Sequence, residues 1–78
     1  MQADEVLNAG ETGCGELIQL IFTRMKSFQP GRVLEVVTYD PGAAEDIPAW
    51  CRMTANTLLK VVNNDTTVSY FIRKKEES

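Results

Sequence analysis

An α/β (α+β) two-layer sandwich of order β-α-β-α-β-β, with a mixed four-stranded sheet and two helices on one face, is the fold this sequence predicts. Three observations carry the prediction. Apolar residues recur at helical spacing in two stretches, β-branched and aromatic runs flank them, and Pro-Gly pairs at 30–31 and 41–42 separate helix from strand.

The first element is a short strand in Asp4 to Ala9 around Val6-Leu7, followed by the turn Gly10-Glu11-Thr12-Gly13. From Gly15 to Phe28 the apolar residues Ile18, Ile21, Phe22 and Met25 share a helical stripe that Leu17 and Phe28 widen. Arg24 and Lys26 sit near its C-terminal end, where cations favour the helix dipole. Gln29-Pro30-Gly31 stops the helix. Val33 to Tyr39 then reads as a central strand, because Leu34 and Val36 fall on one face and Val33, Val37 and Tyr39 on the other.

Asp40-Pro41-Gly42 ends that strand, and Ala43 to Asn56 reads as a helix with Glu45 and Asp46 in its first turn and Pro48 near its start. Ile47, Trp50, Thr54 and Leu58 are its expected inward stripe. Leu58 to Val62 and Thr67 to Arg73 complete the chain as a hairpin joined by Asn63-Asn64-Asp65-Thr66. A strand-helix-strand unit in one sheet is expected to be parallel and the hairpin antiparallel; two crossovers of one hand put both helices on one face and leave the other open to solvent or a partner.

Composition narrows the function. A 44% apolar chain of 78 residues suits one domain over residues 1–78. Its longest apolar stretch, Leu17 to Met25, is interrupted by Gln19, Thr23 and Arg24 and falls short of the ~20 residues of a membrane span. Residues Met1 to Glu5 lack the basic start and apolar run of a secretory signal, so a cytoplasmic location with reduced thiols is expected. Two cysteines 37 positions apart and no histidine give too few soft ligands for a closed zinc site, so no metal is expected. The net charge of −3 disfavours direct nucleic-acid binding. Arg73-Lys74-Lys75, followed by Glu76-Glu77, reads as a solvated tail, with disorder expected in the first few residues and the last four.

Cys14 falls at the N-terminal edge of the first helix, where unpaired N–H groups and the dipole favour a thiolate. Gly13, Gly15 and Glu16 form its surroundings, and the Glu16 charge acts in the opposite sense. Spacing alone leaves two readings open, a reactive thiol and a small residue in a turn. Cys51, beside Trp50, reads as a core residue, with a resolving thiol for Cys14 as the rival. Trp50, flanked by Ile47 and Met53, is expected in the core in preference to a docking patch. Glu45, Asp46 and Arg52 are a solvated surface or a partner-recognition patch.

Taken in order, Leu7-Asn8-Ala9-Gly10, Cys14-Gly15-Glu16-Leu17, Gln29-Pro30-Gly31, Asp40-Pro41-Gly42, Asp46-Ile47-Pro48-Ala49-Trp50-Cys51 and Tyr70-Phe71-Ile72-Arg73-Lys74 resemble the TusA/SirA family of sulfur-carrier proteins. The likeness runs from about Leu7 to Lys75. It implies a persulfide carrier that uses Cys14 as the sulfur-bearing residue and needs no metal or organic cofactor. A cysteine desulfurase or other sulfurtransferase would be the donor and a sulfurtransferase protein the acceptor, with Arg24, Asp46, Trp50 and Arg52 as a possible partner surface. The chain departs from the family pattern where Gly15 and Leu17 occupy the proline positions of C-P-x-P, Asn8 replaces an aspartate, and Ala55-Asn56 replaces Gly-His. Two other functions remain open: a noncatalytic interaction or regulatory module, and a redox switch between Cys14 and Cys51.

Overall fold

The computed structural model describes residues 3–76, the side chain of Cys14 excepted. The elements in chain order are β1 (Glu5–Gly10), α1 (Cys14–Lys26), β2 (Val33–Thr38), α2 (Ala43–Thr54), β3 (Thr57–Asn63) and β4 (Val68–Arg73). The sheet order is β1-β2-β4-β3. β1 lies parallel to β2, whereas β4 is antiparallel to both β2 and β3. This is the expected mixed sheet and element order. β1, β2 and β3 therefore point the same way, and each helix runs back against the strand before it.

Strand alternation sorts the two faces. Leu34, Val36 and Thr38 of β2 are buried beneath the helices, and the register sets Leu34 opposite Ile72 and Val36 opposite Tyr70. The helices answer with residues four apart, Leu17, Ile21 and Met25 from α1 and Ala43, Ile47 and Cys51 from α2, all buried. Leu7 and Ala9 of β1 complete this layer. Asn64 closes the β3–β4 hairpin, its N–H donating to the Thr67 carbonyl at 2.8 Å.

The open face is less bare than the sequence suggests. Phe71 points to it yet is only 7% exposed. The register places it between Glu35 of β2 and Lys60 of β3, and the Lys60 ammonium lies 5.0 Å from the ring centroid. The lysine stem covers the ring while its charge faces the ring's negative surface.

The expected inward faces of both helices need correction. Phe22, expected in the inward stripe, is 50% exposed, because the row Leu17-Ile21-Met25 faces the sheet and Phe22 is turned about 100° from Ile21. In α2 the buried row is Ala43-Ile47-Cys51. Leu58 belongs to β3, Trp50 is only half-buried, and Met53, expected in the core, is exposed. The helix ends at Thr54 because Ala55 turns left-handed (φ 63°), while Thr54 Oγ1 donates to the Trp50 carbonyl at 2.7 Å.

The basic cluster is also no loose tail. Arg73 ends β4, Lys74 Nζ donates to the Phe28 carbonyl at 2.7 Å, and the Lys75 N–H donates to Asn56 Oδ1 at 2.8 Å. At the other end Asp4 is anchored too, accepting from the Val33 N–H at 2.8 Å and from Arg32 at 2.9 Å, which holds its carboxyl below the usual range. Residues 1–2 and 77–78, which the expectation of disorder included, lie outside the described residues.

A left-handed backbone costs an L-residue about 1–2 kcal/mol that glycine avoids. Ala55→Gly should therefore stabilise the fold by about 1 kcal/mol in urea denaturation at neutral pH; an unchanged or lower midpoint would show that Ala55 is not strained. Burial pushes the Cys51 thiol from 9.0 up to about 11. Since the folded value is the higher, its contribution is complete below about pH 9 and is lost as pH rises towards about 11. Tyr70 is pushed upward by burial and then by the Asp40 charge, with the same sign. The urea midpoint should fall above pH 9, and Cys51→Ala should flatten part of that fall.

Candidate functional site

Because α1 and α2 both run back from the C-terminal ends of parallel-pointing strands, their first turns lie at the same end of the sheet. The strand ends are joined there by the Tyr39 N–H, which donates to the Gly10 carbonyl at 2.9 Å. Gly10 has φ +56°, a backbone that suits glycine, and the chain turns through the Thr12 N–H to Ala9 carbonyl bond of 3.0 Å.

Gly13 caps α1 in extended conformation, and its carbonyl takes the Leu17 N–H at 2.7 Å. It brings no side-chain oxygen to the helix start. The amides of Cys14, Gly15 and Glu16 thus have no intrahelical acceptor and form a donor set with the positive end of the helix dipole behind it. A Cβ added at Gly15 would meet nothing within 4 Å, so the space beside this turn is open. Glu16, also exposed, brings a carboxylate to the first turn. Such an arrangement favours an anion at the backbone amides while opposing accumulation of further negative charge.

Asp40 organises the neighbouring turn. Its Oδ1 accepts from the Gly42 N–H at 3.2 Å, its carbonyl accepts from Ala43 at 3.2 Å, and its own N–H donates to Thr38 Oγ1 at 3.0 Å. Oδ2 is buried and accepts no hydrogen bond among the described residues. In sequence Asp40-Pro41-Gly42 reads as a strand break, and the spacing of an Asp two residues before a glycine is the signal for the side-chain turn that starts α2.

The predicted site residues do not form one cluster. Gly13, Cys14, Gly15 and Glu16 share the first turn of α1, and Asp46 lies in the first turn of α2. Arg24 lies about 15 Å further along α1 and pairs with Glu5 at the opposite end of the sheet. Trp50 and Arg52 are likewise in the second half of α2. Cys51 is buried and free, and sits about 12 Å along α2 from Ala43.

No helix among the described residues is long and apolar enough to cross a membrane. The model of the family described as Sulfurtransferase TusA matches residues 6–74. Among similar proteins, the sulfur carrier protein TusA of Pseudomonas putida (strain W619) is 31% identical over 74 residues, covering 95% of this chain and 92% of the relative. The sulfur carrier protein TusA of Pseudomonas aeruginosa (strain UCBPP-PA14) is 30% identical, with coverage of 95% and 94%. A match across both helices and all four strands, at near-full coverage of both chains, means that the chain belongs to the TusA sulfurtransferase family, a family of sulfur carriers in sulfur relay.

Proposed function

We propose that this chain carries sulfur as a persulfide on Cys14 and that the six elements act as one carrier domain. The observation that supports this reading best is the position of Cys14 as the first residue of α1, at a helix start that no side chain caps. In the first step the Cys14 thiolate attacks the outer sulfur of a donor persulfide. The donor's S–S bond breaks, its thiolate leaves, and a new S–S bond forms on Cys14 with no net oxidation. In the second step an acceptor nucleophile attacks that outer sulfur and Cys14 departs as thiolate. Both steps begin or end with an anion at the amides of the first turn, and neither calls for a metal or organic cofactor. A cysteine desulfurase or another sulfurtransferase fits the donor role, and a sulfurtransferase protein the acceptor role.

The two replaced prolines have physical consequences at this turn. Gly15 retains an N–H that proline would lack, adding a donor close to the sulfur-bearing residue. Leu17 has no exposed surface and its N–H makes the first helical bond, so this position serves the core instead of the turn.

Reduced protein incubated with a cysteine desulfurase and cysteine should gain about 32 Da, one sulfur, on intact mass analysis. Cys51→Ala should gain the same mass and Cys14→Ser none. Sulfur on Cys14→Ser, or on none of the three with several donors, would overturn the assignment. Gly15→Pro should fold and load about tenfold more slowly, the scale of one hydrogen bond to an anion; loading at the wild-type rate would show that the Gly15 amide contributes nothing.

A further inference from the structure

At the end of the helix pair remote from Cys14 lies a groove of about 260 Å³ between the C-terminal halves of α1 and α2. Phe22, Met25 and Trp50 form its apolar lining, and three lysines, Lys26, Lys74 and Lys75, line it as well. No carboxylate lines it among the described residues. In a chain with 11 acidic and 8 basic residues, three of the eight cations thus gather around one apolar hollow.

These cations are held in place by contacts that the local sequence does not announce. Lys26 Nζ lies 5.4 Å from the Phe22 ring centroid, and Lys74 Nζ donates to the Phe28 carbonyl at 2.7 Å. Asn56 donates to Thr54 Oγ1 at 2.9 Å and accepts from the Lys75 N–H, fixing the backbone from which Lys75 extends. The C-terminal helix dipoles oppose an anion here. Carbonyls in the last turn of each helix are already engaged: Arg24 accepts from the Ser27 hydroxyl at 2.9 Å, Met25 from the Phe28 N–H at 3.1 Å, and Arg52 from the Ala55 N–H at 3.4 Å.

We propose that this groove docks a segment of a partner protein in which one bulky apolar side chain is flanked by acidic residues. The hollow has room for one large side chain, its lining rewards an apolar anchor, and the three lysines match carboxylates on either side of that anchor. A nucleic acid is the poorer match, since a polyanion would face a chain of net charge −3 while gaining a pocket for a single base. Met25 lies about 16 Å along α1 from Cys14, so a partner seated in the groove leaves the first turns of both helices accessible. The inference stands apart from the sulfur chemistry, and Cys14→Ser should bind as wild type does.

The test uses an acetylated and amidated pentapeptide, Glu-Glu-Phe-Glu-Glu, titrated into the full chain. Binding is followed by emission of Trp50, the sole tryptophan, and by amide chemical shifts. A saturable change is expected, with shifts concentrated at Phe22, Lys26, Trp50, Lys74 and Lys75, and with affinity falling several-fold as salt rises from about 50 to about 300 mM. The double variant Lys26→Glu/Lys75→Glu, altered at two exposed positions and checked for folding by circular dichroism, should bind at least about tenfold more weakly, as should wild type with Glu-Glu-Ala-Glu-Glu. The proposal is overturned if no saturation occurs below about 5 mM, if the charge reversal leaves affinity unchanged, or if a single-stranded oligonucleotide of equal charge binds more tightly than the peptide.

Discussion

The parallel pairing of β1 with β2, from Glu5 opposite Leu34 to Gly10 opposite Thr38, constrains everything that follows in this chain. Parallel neighbours cannot be joined by a tight turn, so the intervening segment must cross back over the sheet, and α1 is that crossing. Its buried row of Leu17, Ile21 and Met25 secures the crossing against Leu34, Val36 and Ile72. The move repeats from β2 through α2 to β3, with β4 inserted between the two strands. As a result both helices begin at one end of the sheet and finish at the other. The molecule acquires two chemically different ends: amide donors and Cys14 at one, an apolar hollow ringed by lysines at the other.

Much of this layout was legible because its signals are local. Pro30-Gly31 and Pro41-Gly42 mark the breaks, and the alternation of Leu34 and Val36 with Val33 and Val37 marks a central strand with apolar groups on both faces. The end of α2 was less legible, since Ala55 takes a left-handed conformation without the glycine that usually announces it. Lys74 and Lys75 looked like a tail because their partners, the Phe28 carbonyl and Asn56, lie 46 and 19 positions away. No window along the chain contains such a pairing.

The candidate site was legible in a different way. Spacing placed Cys14 at a helix start but left its chemistry open; the ordered motifs supplied the family, and the match over residues 6–74 established it. The structure adds what neither could supply, an uncapped first turn beside open space at Gly15, and a core role for Leu17. It also separates the residues grouped as a partner surface, leaving Asp46 near the first turns while Arg24, Trp50 and Arg52 lie further along the helices. On the proposed reading, recognition near the sulfur and anchoring away from it fall to different surfaces.

The central claim is that one labile sulfur resides on Cys14. Cold cyanolysis of the loaded protein measures it directly, because cyanide removes only the outer, sulfane sulfur and releases it as thiocyanate. The account predicts one thiocyanate per chain, full recovery of the unmodified mass, and a second round of loading after the first is discharged. Release of no thiocyanate from protein that has gained mass, or equal release from Cys14→Ser, would contradict it.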